Sequence, residues 1–164
     1  MQTHITAHSN DTPFTPEWDR RFLRLAREIA SWSKDPSTQC GAVIVRPDRT
    51  ICSTGYNGFP RRMNDHPDLY ANRPVKYSRT VHAEMNAILC SRDSHLHGFT
   101  VYVWPMPPCD RCMAHMAQSL IGRIVCPAPD EERAGRWKDA FEASRLMCEE
   151  TGIQLDLIDA TGLD

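Results

Sequence analysis

The chain reads as an α/β protein, a three-layer α/β/α sandwich on a central five-stranded mixed sheet. Three observations predict this. An apolar stripe at helical spacing opens the chain, two short apolar runs joined by a turn form a hairpin, and helical and strand patterns then alternate to the end. Such alternation places helices on both faces of a mixed sheet. The 164 residues suit one domain, since domains usually run to about 100–200 residues. A chain of this length buries roughly 70% of its unfolded surface, so it needs neither metal nor disulfide merely to fold.

Residues 1–14 are polar and aperiodic and are expected to form a loose tail. Thr15-Pro16 offers a helix start with proline at the first helical position. Trp18, Phe22, Leu25, Ile29 and Trp32 follow at alternating steps of four and three, one face of a helix ending near Ser33. Ala42 to Val45 is an apolar run that predicts a buried strand. Pro47-Asp48-Arg49 turns the chain, and Thr50 to Tyr56 returns as a second strand.

Residues 57–79, rich in Asn, Pro, Asp and Arg, read as one long loop, and long ordered loops are commonly functional. A helix is expected from His82 to Ser91, a strand from Phe99 to Trp104 and a helix from Cys109 to Leu120. A short strand over Arg123–Cys126 follows. Arg136 to Glu150 carries Trp137, Ala140, Phe141, Ser144, Met147 and Cys148 on one helical stripe, and Gly152 suits its C-terminal stop. Ile153 to Ile158 closes the order as a strand. The folded domain is expected to span 15–159, with 160–164 as a C-terminal tail.

Composition excludes several classes. The chain is 41% hydrophobic, 24% charged and 8% aromatic, which excludes disordered, collagenous and low-complexity proteins. Its net charge of −2, from 19 basic and 21 acidic residues, lacks the basic excess of a broad nucleic-acid-binding surface. The apolar runs are a handful of residues long, against the roughly 20 a membrane span needs. The first residues lack the basic start and apolar stretch of a signal peptide, so the expected location is cytoplasmic. Seven cysteines in such a chain point to metal ligation and buried free thiols rather than a disulfide framework.

The strongest chemical signal is His82-Ala83-Glu84 followed by Pro108-Cys109-Asp110-Arg111-Cys112. Two cysteines three apart at a helix start can turn both sulfurs toward one ion. One histidine and two thiolates make three ligands, and three protein ligands on zinc leave a fourth position for water, as in catalytic sites. Both motifs fall at helix N-termini, where the dipole favours thiolates. Glu84 can lean over the open position as a proton shuttle. Either motif alone is weak, and a closed structural site would need a fourth ligand, for which His115 is the nearest candidate. Together and in this order they match the signature of zinc nucleobase deaminases. Cys40, Cys52, Cys90, Cys126 and Cys148 lie in or beside apolar segments and are read as buried inert thiols. His66, His95 and His97 are read as solvated loop residues.

Further segments carry a narrower resemblance. Ser33-Lys34-Asp35-Pro36 with Gln39, Gly55-Tyr56-Asn57-Gly58-Phe59-Pro60, and Val81-His82-Ala83-Glu84-Met85-Asn86-Ala87-Ile88 resemble the deoxycytidylate (dCMP) deaminase family over about residues 17–158. The resemblance implies a cytidine-deaminase-like fold and hydrolysis of dCMP to dUMP with release of ammonia. It implies one zinc per chain on His82, Cys109 and Cys112, with Glu84 as shuttle and the backbone N–H of Ala83 on the pyrimidine carbonyl. The segment Arg61 to His66 lacks the cysteines that bind a second zinc in some relatives.

Asn57 is expected to contact the sugar, with a turn-forming role as its alternative. Lys34, Arg61, Arg62, Lys76 and Arg79 are candidate phosphate donors, Lys34 first among them. The resemblance also implies a homo-oligomer, often a hexamer, with dCTP and dTTP as effectors near the Gly-Tyr-Asn-Gly segment; a regulatory nucleotide would bring Mg2+ with it. Pro127 to Trp137 departs from the family's pattern. Two other readings stay open from sequence alone. One is a related zinc deaminase acting on a nucleoside, a free base or another small aminated heterocycle; the other is a non-enzymatic zinc-binding or nucleotide-sensing module.

Overall fold

The computed structural model describes residues 14–163, so the expected tail over 1–13 lies outside the described residues. Helix α1 spans Pro16–Ala30, with Thr15 at its N-cap and Pro16 in its first turn, as the Thr-Pro pair predicts. It ends before Ser33. Trp32 thereby leaves the apolar stripe, is 54% exposed, and meets Tyr56 edge-on with ring centroids 6.2 Å apart.

Strands β1 (Gly41–Val45) and β2 (Ile51–Tyr56) form the antiparallel hairpin, registered from Gly41 opposite Tyr56 with a bulge at Ile44/Val45. Strand β3 (Thr100–Trp104) lies antiparallel on the other side of β1. Strands β4 (Arg123–Pro127) and β5 (Gln154–Ile158) extend the sheet in parallel, giving the order β2-β1-β3-β4-β5. The expected five-stranded mixed sheet is therefore present.

The segment read as one loop is largely helical. It holds α2 (Pro67–Ala71), where the His66 ring accepts from the Asp68 N–H, and α3 (Arg73–Arg79), capped by the Asn72 side chain. Both have a polar cap and proline in the first turn, a start signal that outweighs the segment's loop-like composition. Helices α4 (Ala83–Cys90), α5 (Asp110–Gln118) and α7 (Lys138–Thr151) follow expectation within two residues. A further short helix, α6 (Glu131–Arg136), begins at the Asp130 cap, in a stretch where the sequence predicts no element before Arg136.

Strand residues alternate between two faces, and the core divides accordingly. Val43, Val45, Tyr102 and Val125 pack against Phe22, Leu23, Ala26 and Ile29 of α1. Ala42, Ile44, Val101, Val103, Ile124 and Cys126 pack against Ala83 and Ala87 of α4, Met113 and Met116 of α5 and Cys148 of α7. These are the three layers of an α/β/α sandwich. Phe14, assigned to the tail from sequence, contacts Phe22 and Tyr102. Residues 160–163, also set apart as a tail, turn back on α1: Leu163 is 2% exposed and Arg20 donates to the Thr161 carbonyl at 2.7 Å.

One polar network crosses the α1 face. Asp19 accepts from the Tyr102 hydroxyl at 2.7 Å and from both terminal nitrogens of Arg123 at 2.8 Å, while Arg123 Nε donates to Asp156. Burial and the neighbouring Asp19 push the Tyr102 phenol above its ordinary pKa. The network ties α1 to β3, β4 and β5, and every buried donor and acceptor in it is satisfied. No described helix is long and apolar enough to cross a membrane.

Candidate active site

Close backbone approach positions the first half of the site. A Cβ on Gly55 of β2 would lie 2.3 Å from the Ala83 carbonyl oxygen and 2.4 Å from the Ala87 nitrogen, so glycine lets α4 rest directly on the strand. Ser53 Oγ donates to the Ala87 carbonyl at 2.8 Å, and Asn86 Nδ2 to the Tyr56 carbonyl at 2.7 Å. Gly58 and Val81 exchange backbone hydrogen bonds just before His82. The N-terminus of α4 is thus fixed from two sides.

The second half comes from α5. Pro107-Pro108 leads into Cys109 at its N-cap, and buried Ser144 of α7 donates to the Pro108 carbonyl at 2.9 Å. His82 and Cys109 both occupy N-cap positions, yet neither side chain caps its helix. Both are free to face each other instead.

They do so at ligand distances. His82 Nδ1 lies 3.5 Å from Cys109 Sγ and 3.4 Å from Cys112 Sγ, and all three donor atoms lie within 4.8 Å of one another. Donors on one tetrahedral zinc, with bonds of about 2.05 Å to nitrogen and 2.3 Å to sulfur, stand about 3.5 Å apart. The residues present therefore fit zinc in both donor type and spacing. Among the described residues they form the one such cluster. His115 is exposed, with its Nδ1 2.6 Å from the Arg111 carbonyl, so it supplies no fourth ligand.

Hydrogen bonding from Cys112 and the nearby His82 hold the Cys109 thiol down to about 4, while Cys112 is pushed up by its bond to Cys109 and by burial. Glu84 is 6% exposed, beside His82 and Cys112, and burial raises its carboxyl above the ordinary range. Burial likewise raises the Cys40 and Cys126 thiols. Cys90 departs from the reading as a buried thiol: it ends α4 exposed, near the Arg61 guanidinium.

His82, Glu84 and Cys109 line a cavity of about 400 Å³. Ala83 is fully buried between two lining residues and does not itself line it. As the first residue of α4, it has an N–H with no partner inside the helix.

Asn57 lines the cavity but is already engaged. Its Oδ1 accepts from the Cys40 N–H at 2.7 Å, and its Nδ2 donates to the Thr38 carbonyl at 2.9 Å and to Asp35 at 3.4 Å. Ser33 Oγ donates to its carbonyl. Only a second lone pair on Oδ1 remains for a ligand.

The expected phosphate donors fare unevenly. Lys34 is exposed, paired with Asp65 at 2.6 Å, and does not line the cavity. Arg61, Arg62 and Arg79 do not line it either. Lys76 does, but it is buried and paired with Asp35 at 2.7 Å. Arg73 and Arg136 line the cavity and were missed from sequence, as were Trp137 and Phe141 as lining residues. The capped helix starts at Asn72 and Asp130 were the available signal, since they bring both arginines onto ordered elements.

Comparison with known proteins follows the same lines. Residues 16–128 match the family described as the cytidine and deoxycytidylate deaminase zinc-binding region. The chain is 39% identical over 139 residues to an uncharacterized deaminase of Aliivibrio fischeri, covering 85% of this chain and 92% of the relative. It is 38% identical over 142 residues to a probable deoxycytidylate deaminase of Caenorhabditis elegans, covering 85% and 68%. The deoxycytidylate deaminase of Homo sapiens is 34% identical over 146 residues, covering 84% and 77%. The fold matches a dCMP deaminase from the cyanophage S-TIM5, solved with dCMP and dUMP. The TM-score is 0.70 at 18% identity, over 89% of this chain and all of that one.

Proposed function

The chain belongs to the cytidine and deoxycytidylate deaminase family, and from that membership we propose that it hydrolyses dCMP to dUMP with release of ammonia. The observation that carries this is the His82, Cys109 and Cys112 cluster with buried Glu84 beside it, three of them, His82, Glu84 and Cys109, lining one cavity. Relatives over most of the chain's length bear the name deoxycytidylate deaminase, which favours dCMP over a free base or nucleoside.

His82 Nδ1 and the sulfurs of Cys109 and Cys112 would hold zinc. When bound, zinc supplies Lewis acidity that makes hydroxide available near neutral pH. Glu84 takes the proton of the attacking water as oxygen bonds to C4. It gives that proton to the ring nitrogen, then carries the proton of the new C4 hydroxyl to the amine as the C4–N bond breaks and the C4 carbonyl forms, so water and dCMP leave as dUMP and ammonia. Its burial keeps bulk water from intercepting the proton. The Ala83 N–H, unspent in its helix, orients the pyrimidine carbonyl. Asn57 holds the wall beside the sugar, and Oδ1 is its one remaining contact point.

The same proposal covers the expected domain over 15–159, extended by Phe14 and by residues 160–163 that pack on it, acting as one deaminase domain in the cytoplasm and assembled as a homo-oligomer, with a hexamer favoured. Exposed Trp32 and Tyr56, paired beside edge strand β2, support an assembled face. It extends to dCTP and dTTP as effectors, with Mg2+, near the segment Gly55–Pro60.

Glu84→Gln tests the chemistry. The amide keeps the shape but cannot take up and release a proton, so turnover is expected to fall about 10²–10⁴-fold while one zinc per chain is retained. Near-normal turnover would remove Glu84 from the reaction, and two zinc ions per chain would contradict the single site.

A further inference from the structure

We propose that Arg73 of α3 and Arg136 of α6 together grip the 5′-phosphate of the substrate. The inference rests on the dCMP reading and adds the residues that read its charge.

The cavity is polarised. Its lining includes buried Glu84, beside the His82 and Cys109 side chains, and the exposed side chains of two arginines. An ion is costly to bury, so a ligand spanning this cavity must send a neutral ring inward and keep its anionic group by the exposed arginines. Lys76 is no free donor there, because its charge is spent on Asp35. Lys34 points elsewhere, to Asp65.

Arg73 makes no ion pair or hydrogen bond among the described residues. Arg136 is held only by an exposed pair with Glu132, one turn back on its own helix, of the weak and readily exchanged kind. Two guanidinium groups suit phosphate, since each presents a planar fork of donors to two oxygens. Trp137 and Phe141 follow Arg136 into the cavity lining, so α6 and the start of α7 bring a cation and apolar ring surface together. The family match ends at residue 128, before α6 begins at Glu131. The Arg136 half of the grip therefore lies on a stretch outside that match.

The test compares zinc-loaded wild type with Arg73→Ala, Arg136→Ala, the double alanine variant and the double lysine variant. It measures kcat/KM on dCMP and deoxycytidine, and calorimetric binding of dUMP and deoxyuridine. Each lost charge-assisted contact is worth about tenfold or more. The preference for dCMP over deoxycytidine is therefore expected to fall about 10²-fold in the double alanine variant. Lysine should restore part of it, and dUMP binding should weaken far more than deoxyuridine binding. Retention of the full preference in the double alanine variant overturns the inference and leaves the dCMP reading standing. Equal loss on both substrates also overturns it, since the arginines would then be structural. Equal kcat/KM for the two substrates in wild type would remove phosphate from the reading itself, a distinct failure that takes this inference with it.

Discussion

Asn57 shows how one residue's role is decided by its neighbours. Its side chain satisfies the Cys40 N–H, the Thr38 carbonyl and Asp35, which also receives Lys76 and the Ser37 N–H. Asn57→Ala would leave the part-buried Cys40 N–H and Thr38 carbonyl short of partners, at up to about 1–3 kcal/mol each, while Asp35 keeps its other donors. A clear drop in the urea midpoint is expected. An unchanged midpoint with a raised KM would instead make Asn57 chiefly a substrate contact. From sequence this residue offered two roles, since an Asn-Gly pair also forms turns. The cluster of His82, Cys109 and Cys112 with Glu84 was legible because each motif is local and fixes its own geometry at a helix start. Arg73 and Arg136 were not, because they stand far apart in sequence and an arginine on a short helix resembles any solvated one.

At the scale of elements, the site depends on how closely α4 lies on β2. Gly55→Ala would place a methyl group against the α4 backbone, 2.3 Å from the Ala83 oxygen. Backbone cannot yield as a flexible side chain does, so α4 must shift, carrying His82 and Glu84 with it. We expect a loss of about 1–3 kcal/mol in stability and weaker zinc retention against a chelator. Unchanged stability and zinc retention would show that α4 has slack. The longer helices were readable from apolar periodicity. Helices α2, α3 and α6 were not, because each spans two turns or fewer and shows no full stripe. Their caps, His66, Asn72 and Asp130, with Pro67 and Pro74 in the first turns of α2 and α3, were the local signs, and a segment rich in Asn, Asp and Pro hides such signs among turn formers.

At the scale of the whole molecule, the cavity lies where the sheet changes character. Strand β1 is antiparallel to β3, and β3 is parallel to β4. Cys40 before β1, Asn57 after β2, and Trp104 and Cys109 at and after the end of β3 all line the cavity at this end of the sheet. Open α/β sheets bind ligands outside the carboxyl ends of their strands, and this one follows that rule with a hairpin at one side. Alternation of elements made the sandwich legible, but not the strand order or which loops meet, since both are set by long-range packing. The order explains why motifs 27 residues apart, at His82 and Cys109, converge. The central claim is that this convergence serves a deoxynucleotide. Its most direct test is ammonia release by the zinc-loaded protein from dCMP, deoxycytidine and cytosine side by side. The expected result is a kcat/KM for dCMP at least about 10²-fold above that for deoxycytidine, from two charge-assisted phosphate contacts. Comparable or greater efficiency on deoxycytidine or cytosine would contradict the account.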